Sequence, residues 1–437
     1  WNSLWCSTAR IASDSASSTV ATSASRFGSG AFCTSGPTMR RSIWSIGVAV
    51  LSSTGAPTRR AKSLSLAPAA GAPLRERRRR VLDTLAPAPA QDCTCAAALA
   101  NSGHVDDAAA LAAARKTPLG PDGRADLARV VLDLEQEGRH ADALRLGRSL
   151  TATVADSPGL RQAYAVALVA SGDTAAAIDQ LKEAAAKNPS DVPVARQLGN
   201  LLVYSRRWSE AVVLFAPVAG QGDDLLLDLA LARFRSTPEA AKPVLEQLGR
   251  KLSAATRKSD DPTLKVVTHF LRTLADGRPA AVETHLRAAH QFEAAGLPLA
   301  ALVELDQAVE QEPASVESWK KIADLYRAAG MFDLAVGMLD KALAAVKNAG
   351  TGGTAYSAAE IEAERGKVLF GLRRDADAAR ALGAARAGGQ PVPYAEGLLA
   401  LYAGRKDQAK ALFEEALQRG GADGDWAKAK LAQLAAK

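Results

Sequence analysis

The side chains of this 437-residue chain best suited to nucleophilic or metal chemistry are few and poorly spaced for it. The cysteines are Cys6, Cys33, Cys93 and Cys95, so beyond residue 95 there is neither a disulfide framework nor a thiol nucleophile. Cys93-Thr94-Cys95 lacks the two-residue spacing of a redox or zinc pair. The histidines are His104, His140, His269, His285 and His290. His285 and His290 stand five apart, whereas two metal ligands on one helix face need a spacing of four. No phosphate loop of the G-x4-G-K-[ST] type occurs, nor G-x-G-x-x-G, H-E-x-x-H, G-x-S-x-G or a C-x-x-C-H haem site. These residues predict no catalytic centre, no cofactor and no metal.

What remains is a surface, and the elements that carry it. Hydrophobic residues make up 48% of the chain but aromatics only 5%, with alanine abundant. Such a core suits closely packed helices and suits a β-sandwich poorly. The net charge of +7 is unevenly placed. Residues 1–90 hold 12 Lys+Arg against 3 Asp+Glu, and residues 91–437 hold 42 against 44, a net of −2. The larger part thus lacks the broad basic face that phosphate binding needs, and no nucleic-acid partner is expected. The run Arg77–Arg80 has no interleaved aromatics to stack on bases and reads as a solvated charge run.

Residues 1–70 contain 16 serines and a single acid, Asp14, with no apolar periodicity. A segment of that composition cannot offset chain entropy by burial, so 1–92 is expected to be disordered. Three origins fit it. It is Arg-rich, Ser-rich and acid-poor, like an organelle transit peptide. Alternatively, Met39 starts a charged and then apolar signal segment cut near Ala56, which would place the protein in the periplasm or cell envelope. Third, 1–38 is a translated upstream region with no role. Without a signal segment the expected place is the cytoplasm. No run reaches the roughly 18–20 apolar residues of a membrane span.

From about residue 93 the pattern becomes helical blocks separated by short Gly or polar breaks. The clearest unit, 316–349, carries Trp319, Ile322, Ala323, Tyr326, Gly330, Ala335, Leu339 and Ala342. Unit 282–315 places Ala289, Phe292, Gly296, Ala301, Leu305, Ala308 and Pro313 at matching offsets, and unit 158–191 places Ala165, Leu168, Gly172, Ala177, Leu181, Ala184 and Pro189 there. Units 124–157 and 192–225 follow with Leu134, Gly138 and Ala143, and with Gly199, Leu202, Ala211 and Phe215. Starts at 124, 158 and 192 lie 34 residues apart, as do 282 and 316. Small residues at the eighth and twentieth offsets let two helices approach. Large apolar residues at the seventh, eleventh and twenty-fourth fill the space between them, and glycine at the fifteenth ends the first helix. One such unit cannot bury its own apolar faces, so neighbours must stack. Unit 192–225 departs from the pattern, with Arg206 where glycine is usual and Asp223 where proline is usual.

This pattern resembles the tetratricopeptide (TPR) repeat. The resemblance implies an all-α, right-handed superhelical solenoid of helix–turn–helix repeats after a disordered N-terminal segment. The expected organisation is 93–225 as N-terminal repeats, 226–281 as a degenerate helical segment, 282–349 as a repeat pair, and 350–437 as weaker repeats with a capping helix at Trp426–Ala436. It also implies a non-enzymatic scaffold that binds a peptide or partner protein in its concave groove. Two alternatives stay open: a cell-envelope assembly factor for a secretion, pilus or surface-polymer machine, and the regulatory subunit of a separate enzyme. Groove-facing offsets place Arg196 and Asn200 in one unit, and Glu283, His290, Glu293, Glu317, Lys320, Asp324 and Arg327 in the later pair. Arg196 with Asn200 resembles half of the carboxylate clamp of some TPR domains. Glu317 with Lys320, and Asp324 with Arg327, fit intrahelical pairs equally well.

Overall fold

A computed structural model describes residues 121–153, 157–255, 261–277, 280–349 and 355–435, together with Ala100, Val105, Asp106 and Ala108. The leader and the early pair at 93–117 thus lie essentially outside the described residues. The described chain is all-α. The first helices are α1 (Pro121–Gln136), α2 (His140–Thr153), α3 (Pro158–Ala170), α4 (Thr174–Lys187), α5 (Val192–Tyr204) and α6 (Trp208–Phe215). Then come α7 (Asp223–Ser236), α8 (Pro238–Ala255), α9 (Pro262–Asp276), α10 (Val282–Ala294) and α11 (Pro298–Gln311). The last are α12 (Val316–Ala328), α13 (Phe332–Ala349), α14 (Ala358–Gly371), α15 (Asp375–Ala387), α16 (Pro393–Tyr402), α17 (Lys406–Arg419) and α18 (Gly421–Ala435).

The helix boundaries follow local chemistry. Ser157, Asp173, Asp191, Asp261 and Ser357 each cap a helix, the side-chain oxygen accepting from the backbone N–H three residues on. Between paired helices Gly138, Gly172, Gly296, Gly330 and Gly404 take φ between 76° and 84°. At Gly172 the turn closes by Gly172 N–H to Val169 O (3.0 Å) and Asp173 N–H to Leu168 O (2.9 Å), which satisfies two orphan carbonyls of α3. Arg206 and Arg373 take the same turn with φ 58° and the same bond pattern. Helix α6 has only 8 residues. Ala216 keeps helical backbone, and Pro217 after it has no N–H with which to continue the ladder.

The expected small and large offsets pack as the repeat requires. Ala143, Ala177, Ala211, Ala335, Ala378 and Ala409 are all 0% exposed. At Gly199 an added Cβ would overlap the Phe215 ring, and at Gly397 it would lie 2.6 Å from Phe413. Both pairs join the eighth and twenty-fourth offsets of one unit, so two helices meet there at backbone distance.

The chain divides into two compact units. Within the described residues the first comprises residues up to 311 together with 328–334. Its helices pack mainly on their sequence neighbours. First-of-pair helices also stack, α1 on α3 and α3 on α5, and α11 reaches further back to pack against α5 and α7. The second unit comprises 312–327 and 335 onward, with α14 against α15, α16 against α17 and α17 against α18. Helix α18 begins five residues before the expected Trp426. The stretch Gly420-Gly-Ala-Asp-Gly424 reads as a loop, yet Gly424 is buried where a Cβ would come within 3.2 Å of the Ala416 carbonyl oxygen. Glycine lets this turn of helix lie on α17.

Candidate functional site

Three of the expected groove residues meet in the second unit. Lys320 and Asp324, one helical turn apart on α12, are bonded Nζ to Oδ2 at 2.9 Å. Arg327 reaches Asp324 Oδ1 at 3.0 Å and donates to Glu364 Oε2 on α14 at 2.7 Å. Lys367 donates to the other oxygen of Glu364 at 3.0 Å. The result is an alternating chain of charges, Lys320–Asp324–Arg327–Glu364–Lys367, running from one first-of-pair helix to the next. Burial works against ionisation of Glu364, but Lys367 and Arg327 outweigh it and hold its carboxyl below the usual range. Burial likewise opposes the charge on Lys320, and Asp324 raises it overall.

Of these, Lys320, Glu364 and Lys367 line a cavity of about 360 Å³, while Asp324 and Arg327 bridge them from outside its lining. The Lys320 ammonium sits 5.4 Å from the centre of the Tyr356 ring. Glu360 closes a capping box with Ser357 at the start of α14. Gln390, Pro391, Val392 and Pro393 form the opposite wall, and Arg419 donates to the Pro391 carbonyl oxygen at 3.4 Å. Asp423, in the first turn of α18, completes the lining. Burial pushes its carboxyl up despite the pull of Lys367. The cavity thus offers ammonium groups, carboxylates and an apolar wall within one space. Metal binding has no support among the described residues, where no cluster of three or more potential ligands forms.

The other expected residues lie apart from this cavity. Glu317 pairs with Lys321 at 3.7 Å rather than with Lys320. Glu283, His290 and Glu293 are exposed on α10. Arg196 is ion-paired with Asp224 of α7. Asn200 Oδ1 is buried with no hydrogen-bond partner. Val203, one turn on, is 1% exposed and so faces protein rather than an open groove.

Periodicity alone did not mark Tyr356, Glu360, Glu364, Lys367 and Asp423. Ala323 and Gly366, at equivalent offsets, lie 43 residues apart and Gly366 and Gly397 lie 31 apart, rather than 34, which shifts the groove offsets out of register from α14 onward. The signal that could have found them is the repeated eighth-to-twenty-fourth pairing, Gly366 with Leu382 and Gly397 with Phe413, from which the first-helix faces can be counted anew.

Stacked antiparallel helix pairs with these small-residue contacts define a helical-repeat protein. The family model described as "Tetratricopeptide repeat" matches residues 134–200, the stretch that holds α2, α3, α4 and most of α5. No curated protein matches the chain. Among solved structures, the chain is similar to the yeast Tom70 at 12% identity and a TM-score of 0.36, covering 80% of this chain and 96% of that one. A tetratricopeptide repeat protein from Parabacteroides merdae has 14% identity and a TM-score of 0.25, covering 72% and 98%. The APC/C hetero-tetramer Cut9-Hcn1 has 13% identity and a TM-score of 0.31, covering 76% of this chain and 59% of that one.

Proposed function

We propose that the protein is a non-enzymatic scaffold whose second unit holds a peptide segment of a partner protein in the cavity between α12, α14 and α18. The observation that carries this reading is the alternating charge chain Lys320–Asp324–Arg327–Glu364–Lys367, set opposite the wall Pro391–Pro393. Such a surface suits a peptide with an apolar anchor flanked by charges of both signs, because each charge finds a complement only in one register. It suits a polyanion poorly, since Glu360, Glu364 and Asp423 line the same space. A half-buried carboxyl pushed toward its neutral form, as in Asp423, gains from a donor brought by a ligand.

The test is selection of a displayed peptide library on the full chain. Selected peptides are expected to carry an apolar residue beside charged ones and to lose at least tenfold in affinity for Lys367→Glu. Circular dichroism is expected to show unchanged helicity for that variant. Peptides that bind Lys367→Glu and the natural chain equally would refute this site.

A further inference from the structure

Helix α11 departs from what a stack of repeats requires. In such arrays each repeat touches only its neighbours. Yet α11 meets α5 and α7, whose residues lie some 60 to 115 positions earlier, and its burial extends nearly around the helix, from Leu299 to Val309. Two arginines make the polar part of that contact. Arg206, at the turn after α5, reaches Asp306 Oδ1 through Nε at 2.8 Å and Nη2 at 2.6 Å. Arg235, near the end of α7, pairs with Glu310, one helical turn beyond Asp306. A third tie joins 328–334 to the same unit: Asp333 accepts from the Thr174 hydroxyl at 2.8 Å and from its backbone N–H at 3.3 Å.

Arg206 holds its place against a conformational cost. Its φ of 58° is left-handed, at a turn where the equivalent residues Gly138, Gly172, Gly296 and Gly330 adopt positive φ freely. A strained residue persists when its surroundings over-determine it. The surroundings here are Asp306, whose side chain is 3% exposed. The pair is itself finely balanced. Burial pushes the Asp306 carboxyl up in spite of Arg206, and its Oδ2 is buried with no hydrogen-bond partner. A desolvated ion pair of that kind adds little net stability over apolar packing, but it fixes which surfaces meet.

We propose that Arg206–Asp306 and Arg235–Glu310 form a clasp, a reversible, charge-held closure of α11 onto the first-helix face of the 192–236 repeats, which opens without unfolding the helices it joins. Closed, it covers the parts of α5 and α7 that α11 meets; open, it frees them.

The test is hydrogen exchange of the full chain, resolved by peptide. Arg206→Gly restores the usual turn residue and removes the guanidinium that meets Asp306, so helicity is expected to be unchanged. Amides of α5, α7 and α11 are expected to exchange at least tenfold faster, while those of α14–α17 keep their natural rates. Arg235→Glu is expected to do the same, and adding Glu310→Arg to that variant is expected to restore slow exchange, because the pair is re-formed with its signs reversed. Unchanged exchange in both single variants would overturn the proposal, since apolar contact alone would then hold α11. So would loss of helicity throughout the first unit, which would make the contact part of an indivisible core. Failure of the double variant to recover would also overturn it, because charge would not be what closes the clasp.

Discussion

Arg206 and Arg373 share one backbone conformation and differ in what their side chains do. Arg373 is half exposed, pairs with Asp375 at 3.0 Å and lies 4.6 Å from the centre of the Tyr402 ring. Exposed pairs contribute about 0–1 kcal/mol, and relief of left-handed strain is worth about 1–2 kcal/mol. Glycine returns roughly 0.5–1 kcal/mol of that through chain entropy. Arg373→Gly is therefore expected to stay within about 1 kcal/mol of the natural stability by urea denaturation. The reverse kind of change, Gly330→Val, places a β-branched residue at φ 77° and is expected to cost about 1–2 kcal/mol or more. At Gly199 the cost is steric rather than conformational. Gly199→Ala forces the Phe215 ring to move in a filled core, at about 1–3 kcal/mol in the same measurement.

Asp228 gives a pH dependence at this scale. Burial, and then the neighbouring Asp224, push its carboxyl up to about 7, against the opposing pull of Arg196. The unfolded chain loses this proton near the ordinary carboxylate value of about 4. Between those values the folded state binds more protons, so this group's contribution to stability falls as pH rises from about 4 to about 7. Asp228→Asn is expected to flatten that part of the curve and to exceed the natural chain in melting temperature at pH 8, with the two closer at pH 5. A natural chain at least as stable as the variant at pH 8 would contradict the assignment.

At the scale of elements, α11 carries two buried acids on two faces, Glu304 and Asp306, and an exposed one, Glu310. Asp306 and Glu310 meet the arginines, and Glu304 faces α9 and α10. Glu304 Oε2 lies 2.8 Å from His285 Nδ1, and Oε1 lies 3.1 Å from His269 Nε2. Gln311 Nε2 stands 3.0 Å from His285 Nε2, which makes that ring nitrogen the acceptor and Nδ1–H the donor to Glu304. Burial alone would raise Glu304, but hydrogen bonds from His269 and His285 win and hold it below the usual value. Its contribution is therefore present above the unfolded-state value and is lost as pH falls through the lower folded one. Glu304→Ala leaves the N–H of a 2%-exposed neutral imidazole without its acceptor and is expected to cost about 1–3 kcal/mol at neutral pH, read by urea denaturation.

Neither of the two buried acids was legible as such. An acid on an amphipathic helix reads as its solvent face, and periodicity reports only which faces of one helix are apolar. It cannot say that a third element returns to cover the polar one. The partners of Glu304 are 19 and 35 residues away, and that of Asp306 is 100 residues away. By contrast, the helix pairs were legible because each unit repeats one spacing. The segment 226–281, though irregular, was also legible as helical: Leu225–Phe234, Pro238–Leu252 and Pro262–Ala275 fall within α7, α8 and α9. Only the start of α18 was missed, since glycine serves close packing there as well as turns.

For the molecule as a whole, sequence reasoning pointed to three members of the charge chain, of which Lys320 lines the cavity. Lys320, Asp324 and Arg327 sit on a regular repeat and could be counted, while their partners on α14 and the wall at 390–393 lie past the change of spacing. Among the described residues no helix is long and apolar enough to cross a membrane. The fold alone does not select a partner, since one fold serves many functions. The claim that carries the functional account is that the cavity of the second unit is where a peptide docks. Its most direct test is hydrogen exchange of the full chain with and without a peptide selected on it. Protection is expected in the amides of α14 and of 390–393, with the outward second-of-pair helix α15 unchanged. Protection confined to α15, or to the first unit, would contradict the account.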